Sequence, residues 1–159
     1  MKKRITALLL ALCLILSAAP VYAGAATGQQ VSANAVTVTA GNTAYVTLEA
    51  KDFENIAALD VYVYYDASVF TVSGTTNGNM LSGAQASINT AVAGEIKLSA
   101  LALDGMNGTG TLMTIRLSTA WGCAPGTYPI IVAVGRAHDG NLAEAVISGA
   151  DGSVTVNKP

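Results

Sequence analysis

The clearest pattern in the chain is a strict alternation of side chains over residues 59–66, LDVYVYYD. Successive side chains of a strand point to opposite faces of a sheet, so one set of positions can lie on a core while the other faces outward. The core set is Leu59, Val61, Val63 and Tyr65, and the outward set is Asp60, Tyr62, Tyr64 and Asp66. The pattern therefore predicts a half-buried strand that presents two phenols between two carboxylates.

Short β-type segments recur along the rest of the chain, separated by Gly-rich and polar turns. They predict strands at residues 35–39, 43–50, 56–65, 69–73, 85–92, 95–103, 111–119, 128–134, 142–147 and 153–156. In the strand at 111–119 the core set is Met113, Ile115 and Leu117. Loops are expected at 51–55, 74–83 and 104–112. About nine or ten short strands with no helix-period segment predict an all-β sandwich.

The segment 95–103 is ambiguous, because neither of its alternating sets is purely core-like. One set is Ile96, Leu98, Ala100 and Ala102, and the other is Lys97, Ser99, Leu101 and Leu103. A bulge that switches faces would explain this pattern. A sheet face that a partner covers would also explain it, and we favour that interpretation.

Two sequence motifs, one early in the chain and one at its end, resemble those of the cohesin domain of bacterial cellulosome scaffolds. The first motif is carried by Ile56, Asp60, Tyr65, Asp66, Val69 and Phe70, and the closing D-G-x-V-x-V motif by Asp151, Gly152, Val154 and Val156. The resemblance covers roughly residues 36–156. It implies a jelly-roll β-sandwich of two antiparallel sheets. It also implies a non-catalytic protein that binds the dockerin modules of glycoside hydrolases or scaffold proteins.

The resemblance also implies which residues contact the partner, on one flat sheet with Asp60 as the main polar contact. Together with the two outward tyrosines, the expected contact residues are Ala58, Asp60, Tyr62, Tyr64, Leu98, Ala100, Ala102, Asn107, Gly108, Leu142 and Glu144. Leu103 stands where an acidic contact is common in the better-known cohesins, and Ala93 replaces a frequent aromatic residue. No cofactor is expected in this chain, and calcium is expected only in the dockerin partner.

The first residues have the composition of a secretory signal peptide. A basic start is followed by an apolar run at 7–16 and a V-x-A site that ends at Ala23. We therefore expect a signal peptide at 1–23, a flexible lead-in at 24–34 and one β-sandwich domain at 35–157. No second hydrophobic segment follows, so we expect an exported protein without a membrane span.

Charge and the scarcity of reactive side chains exclude several function classes. The mature chain carries five basic and ten acidic residues, a net charge of −5, which argues against a nucleic acid or an anionic membrane as partner. With only Cys123 and His138, the usual zinc ligand set cannot be assembled. Asp60 and Asp66 lie about 20 Å apart in an extended strand, too far for a glycosidase pair.

Two alternatives remain open from the sequence. Asp139, Asn141 and Glu144 could supply oxygen ligands to calcium, although a tight turn is the simpler interpretation. Tyr62 and Tyr64, about 7 Å apart along a strand, could instead line a sugar-binding groove of a carbohydrate-binding module. Trp121 lies in a bend beside Pro125, where it is expected to plug the core or anchor the loop.

Overall fold

The computed structural model describes residues 28–159, in which nine strands and one short 3₁₀ helix are joined by turns. The predicted signal peptide, residues 1–23, lies outside the described residues. The strands are β1 (Gln30–Ala33), β2 (Ala35–Thr39), β3 (Thr43–Tyr64), β4 (Phe70–Asn77), β5 (Gln85–Asn89), β6 (Glu95–Thr119), β7 (Gly126–Asp139), β8 (Ser148–Ala150) and β9 (Gly152–Asn157). The 3₁₀ helix, Asn79–Leu81, follows β4. The prediction of an all-β fold with about nine strands is confirmed.

The strands form two layers, and the long strands β3 and β6 contribute to both. The first layer has the order β5, β6, β3, β7 and uses the second half of β3 with the first half of β6. The second has the order β4, β6, β3, β1, β8 and uses the remaining halves. Strands β9 and β2 extend from the start of β7. Two antiparallel sheets were predicted. Most strand pairs are antiparallel, but β1 with β8 and β2 with β9 are parallel.

The core between the layers confirms the two clearest alternations in the sequence. Val61, Val63, Met113, Ile115 and Leu117 are at most 1% exposed. Half-buried Tyr65 packs against this cluster. The same cluster takes in the alternate residues of the first half of β3, which are Ala44, Val46, Leu48 and Ala50. One continuous apolar core thus joins both layers.

The charged segment 51–55 was predicted to be a loop, but it is part of the continuous strand β3. Core-facing residues there recur every three positions instead of every two, at Ala50, Phe53, Ile56 and Leu59. Each step contains a break in the register with β6. Asp52 and Asn55 take left-handed backbone conformations, with φ of 53° and 52°. The bulges let the strand bend from one layer to the other without losing its partner.

The loop expected at 104–112 is likewise part of the continuous strand β6. Gly105 and Gly108 have positive φ, at 69° and 85°, and lie opposite the bulged part of β3. A Cβ at Gly105 would lie 3.0 Å from Cα of Asn55, so the two strands can approach only because this residue is glycine. The bend of β6 therefore matches the bend of β3.

Three further boundaries differ from the sequence predictions. The expected flexible lead-in at 24–34 contains β1, whose Val31 is fully buried between β3 and β8. β4 continues to Asn77, within the expected Gly-rich loop, because it pairs with β6. No strand forms at 142–147, since Leu142 has a φ of 64° and only Glu144 forms an isolated bridge to His138.

Candidate functional site

The outer side of the first layer carries most of the residues predicted to contact a partner. We call it the outer sheet face; it consists of the outward residues of β5 and of segments 58–64 of β3, 95–103 of β6 and 131–138 of β7. Directly opposed residues of antiparallel strands share a face. The register places Asp60 opposite Ser99, and Tyr62 between Lys97 and Ala133. Ala58, Asp60, Tyr62 and Tyr64 thus form a row along the middle of this face.

Asp60 lies near the centre of the row and is held by two neighbours on β6. The Ser99 hydroxyl donates a hydrogen bond of 2.6 Å to Asp60 Oδ1. Lys97 Nζ lies 3.7 Å from Asp60 Oδ2, and both side chains are about one-third exposed. A carboxylate has about four acceptor sites on its two oxygens, so these contacts leave sites for donors of a partner. The Asp60 carboxylate is therefore held in one orientation and can still accept hydrogen bonds from a partner.

The two tyrosines form an aromatic patch beside Asp60. Their rings are nearly parallel, with centroids 6.4 Å apart and an angle of 8° between the planes. Lys97 Nζ lies 5.3 Å from the centroid of the Tyr62 ring, within the range of a cation–π contact. The Tyr62 hydroxyl and the Asp60 carboxylate together raise the pKa of Lys97. Lys97 therefore remains a cation wherever the domain is folded at neutral pH.

The prediction that Leu98, Ala100 and Ala102 contact the partner is wrong. They are 0%, 6% and 6% exposed and pack in the core. The other alternating set of β6 faces outward, with Leu101 and Leu103 exposed to 49% and 91%. No bulge interrupts the pairing of residues 95–101 with β3, so the same alternate residues face the core along the whole segment. The set that faces outward is therefore the one that contains Lys97, and the interpretation that a partner covers this face stays a prediction.

Asn107 and Gly108 lie at the bend of β6, beyond the row of Asp60. Asn107 Oδ1 accepts a hydrogen bond of 2.8 Å from the backbone N–H of Asn55. Its Nδ2 group donates to the Gly105 carbonyl at 3.2 Å. These bonds hold the matched bends of β3 and β6 together, which gives Asn107 a structural role in the free protein. Both residues are exposed at the border of the outer sheet face.

Leu142 and Glu144 lie in the turn that follows β7, and both are exposed. Asp139 Oδ1 accepts hydrogen bonds from the backbone N–H groups of Asn141 at 2.8 Å and Ala143 at 2.9 Å. The predicted tight turn is thus present, and this oxygen is occupied by the backbone. His138, which bridges Glu144, lies opposite Ala58, so the turn borders the end of the outer sheet face.

The Asp139 turn is expected to loosen in acid. The Ala143 and Asn141 amides lower the pKa of Asp139, since they stabilise its charged form. A lowered pKa adds stability above the ordinary range of aspartate, and this stability is lost as the pH falls through the lowered value. NMR titration should show the Asn141 and Ala143 amide signals shifting together, with a midpoint below that of an unperturbed aspartate. Asp139→Asn should abolish the shift, whereas a midpoint in the ordinary range would contradict this account.

Sequence reasoning missed the residues that flank the central row. Lys97 and Ser99 contact Asp60 directly, and Ile131 and Ala133 lie opposite Tyr64 and Tyr62. A usable signal was present in 95–103, where one set is wholly apolar and the other contains Lys97 and Ser99. A wholly apolar set belongs in the core by the ordinary rule of burial. No comparable signal marks Ile131, because β7 is apolar on both sides in this region.

The described residues contain no metal-binding cluster and one half-buried thiol. Between Gly28 and Pro159 no three His, Cys, Asp or Glu side chains lie close enough to hold a metal ion. Cys123 is half-buried and packs against the core. The same part of the chain contains no helix whose length and hydrophobicity would let it span a bilayer.

Comparison with known proteins identifies both the fold and the family. The family model of the cohesin domain matches residues 29–156. A non-cellulosomal cohesin of the archaeon Archaeoglobus fulgidus has a TM-score of 0.74 at 12% identity, over 81% of this chain and 91% of that one. A type I cohesin–dockerin complex of Clostridium thermocellum has a TM-score of 0.74 at 20% identity, over 81% and 99%.

The seventh ScaB type I cohesin of Pseudobacteroides cellulosolvens has a TM-score of 0.73 at 19% identity, over 82% and 93% of the two chains. No curated protein matches this chain. The sequence identities are low, so these structural similarities are evidence for the fold alone. They confirm the jelly-roll β-sandwich, and the family model confirms the predicted family resemblance.

Proposed function

The chain belongs to the cohesin family, and from that premise we propose that it binds the dockerin module of another protein through the outer sheet face. The observation that carries the proposal is the placement of Asp60. Its carboxylate is oriented by Ser99 and Lys97 on an uncovered sheet face. Tyr64 and Leu101 lie exposed on the same face. An apolar surface around an oriented polar anchor is the usual composition of a protein interface.

The proposed partners are glycoside hydrolases or scaffold proteins that bear a dockerin, so that the protein helps to assemble a polysaccharide-degrading complex. Solved cohesin–dockerin complexes among the structural neighbours support dockerin as the partner class. The archaeal neighbour is described as non-cellulosomal, so the cohesin fold alone does not specify the larger assembly. We propose that the protein itself needs no cofactor and that any calcium requirement belongs to the dockerin.

We also propose that the protein is exported through the signal peptide at residues 1–23. The basic start, the apolar run and the V-x-A site support this proposal. The N-terminal sequence of the protein recovered from culture medium should begin after Ala23. Recovery of the uncleaved chain only from the cell interior would refute export.

Dockerin binding is tested directly by titration calorimetry of the purified protein against dockerin-bearing proteins of the same organism, with calcium and with a chelator. We expect saturable one-to-one binding that the chelator abolishes through the dockerin. The melting curve of the protein alone should be the same in both buffers. Failure to bind any dockerin of the organism would refute the proposed function, and a chelator-sensitive melt of the protein alone would refute the assignment of calcium.

The protein is expected to have no hydrolytic activity. The central carboxylate of the outer sheet face, Asp60, is engaged by Ser99 and Lys97 and is not paired with a second carboxylate by these contacts. Assays with cellulose, xylan and ester substrates should give the same signal as a heat-inactivated sample. Reproducible turnover that disappears on mutation of one carboxylate would contradict this expectation.

The alternative of a sugar groove on Tyr62 and Tyr64 receives less support. Lys97 Nζ lies 5.3 Å from the centroid of the Tyr62 ring, and a Cβ at Gly135 of β7 would lie 2.9 Å from Cε2 of the same ring. Tyr62 is therefore half-buried, and Tyr64 is the only well-exposed ring of the pair. One exposed ring gives a weak platform for a sugar chain.

A further inference from the structure

We propose that the opposite side of the molecule binds a glycan chain that carries carboxylate groups, such as a polysaccharide substituted with uronic acid. The site is the outer side of the second layer, formed by strands β4, β6 and β3, together with the Trp121 loop at its end. We call it the hydroxyl face. It shares no residue with the outer sheet face, so the two sites could be occupied at once.

The hydroxyl face is defined by three cross-strand rows of outward residues. From β3 through β6 to β4, the rows are Thr43, Ser118 and Thr71; Tyr45, Arg116 and Gly74; and Thr47, Thr114 and Thr76. Seven of these nine residues, five threonines, one serine and Tyr45, carry a hydroxyl group that can both donate and accept hydrogen bonds. Thr43 and Ser118 already bond to each other across the strands at 3.2 Å. A surface of this kind matches the alternating donors and acceptors of a sugar chain.

Trp121 forms an aromatic platform three residues beyond Ser118 of the first row, just after the end of β6, and is 75% exposed. It does not plug the core, which was one of the two roles expected for it. A Cβ at Gly41 would lie 2.6, 2.7 and 2.9 Å from Cδ2, Cε2 and Cε3 of the indole. Because Cδ2 and Cε2 are the ring-fusion atoms, Gly41 must approach the flat face of the ring. The indole thus lies on the glycine with its other face open to solvent.

The Trp121 platform is fixed to the sandwich by a network around Thr119. The buried Thr119 hydroxyl accepts a hydrogen bond from the Gly41 N–H and donates one to the Asn42 carbonyl, both at 2.9 Å. The Thr119 N–H donates to the same carbonyl at 3.0 Å. These bonds tie the end of β6 to the turn that supports the indole. A rigid exposed ring loses little entropy when a sugar stacks on it.

Arg116 gives the hydroxyl face its charge and decides which glycan fits. It is exposed and is the one charged residue in the three rows. A Cβ at Gly74 would collide with its guanidinium, so the side chain lies across the β4 backbone. Within residues 28–159 the one ion pair is that of Lys97 with Asp60, so no carboxylate of this region neutralises Arg116. A guanidinium binds carboxylates in a bidentate manner, which favours an acidic over a neutral chain.

Tyr45 is 59% exposed and lies directly opposite Arg116. It adds a second ring to a surface that has no exposed aliphatic side chain in its three rows. A protein partner would need an apolar centre to bind tightly, and this face offers only hydroxyls, one guanidinium and the two aromatic rings. The composition therefore favours a glycan.

The single tryptophan of the chain makes a direct test possible. Glucuronic-acid-substituted xylan is titrated into the purified protein while the emission of Trp121 is recorded, with an unsubstituted β-glucan as the neutral comparison. We expect a saturable change in emission with the acidic polymer and at least a severalfold weaker response with the neutral one. No change with either polymer, or an equal response to both, would overturn the proposal.

Variants measured by affinity electrophoresis in the acidic polymer assign the response to the face. Trp121→Ala should weaken binding by about tenfold, because stacking on one ring contributes on the order of a factor of ten. Arg116→Gln should remove the preference for the acidic polymer. The matched control is Tyr64→Ala, an exposed aromatic residue of the outer sheet face. Loss of binding in that control instead would place the sugar on the other side and refute the proposal.

A second copy of the chain is the competing occupant of the hydroxyl face. Sedimentation should show a monomer, and a dimer that dissociates in Trp121→Ala would overturn the proposal. Dockerin binding does not enter any of these measurements, so failure here leaves the proposed function untouched. Melting curves of all variants should stay close to that of the unmodified protein, because every substituted side chain lies on the surface and none belongs to the core.

Discussion

Leu98→Ala is expected to lower the free energy of unfolding by about 2–5 kcal/mol. Leu98 is 0% exposed on β6 and lies in the core between the layers. Its truncation removes buried methyl groups and leaves a cavity that a sandwich with two fixed layers can close only in part. Urea denaturation followed by circular dichroism measures the change. A loss below about 0.5 kcal/mol would place Leu98 on the surface and contradict the assignment of faces on β6.

Leu101→Ala is the matched control, because the same residue type is changed three positions further along the same strand. Leu101 is 49% exposed on the outer sheet face. Its replacement should change the free energy of unfolding by no more than about 0.5 kcal/mol. Dockerin affinity should fall instead, since an exposed leucine at the interface is buried by the partner. The pair of variants therefore separates stability from binding within one strand.

Asp60→Ala is expected to weaken dockerin binding by about 2 kcal/mol or more, a factor of about thirty. The carboxylate is dehydrated in the proposed complex, and its removal leaves donors of the dockerin without an acceptor. Stability should change little, because Asp60 lies on the outer side of its strand and no cavity forms. Titration calorimetry and a thermal melt of the same sample distinguish the two effects.

Glu49→Ala is the matched control for Asp60. Glu49 is an exposed carboxylate of the same strand, but it lies in the half of β3 that belongs to the second layer. The Glu49→Ala variant should bind dockerin with the affinity of the unmodified protein. An equal loss of affinity in both variants would mean that binding depends on the net charge of the protein and not on the position of the carboxylate. Unchanged affinity of Asp60→Ala would show that Asp60 is no anchor. A lost melting transition would show that it is structural instead.

The sequence predicted the fold class and the central row because their signals are local. Alternation with a period of two assigned the faces of residues 59–65 and 113–117. Asp139 was expected in a tight turn because aspartate readily bonds nearby backbone amides, and its Oδ1 does so. The family motif placed Asp60 on the outer sheet face.

The bends of β3 and β6 could not be predicted, since residues 51–55 and 104–110 carry the charges, asparagines and glycines of ordinary loops. They remain strands because each pairs with the other across about fifty residues of sequence. The bulges in these segments change which alternate positions face the core. The pattern of buried residues on one side of a bulge therefore does not predict the pattern on the other side. For β1 the signal was only two small apolar residues, Val31 and Ala33, whose burial depends on β3 and β8. Long-range pairing overrode local composition in each case.

The passage of β3 and β6 through both layers has a consequence for cooperativity. β3 and β6 have 22 and 25 residues, and neither layer has a central pair of strands that belongs to it alone. Opening one layer must therefore pull apart backbone pairing that continues into the other. The amides of both layers should exchange with solvent only through the same global unfolding event. The outer sheet face and the hydroxyl face consequently share one unfolding free energy, and a mutation that weakens either layer lowers the stability of both.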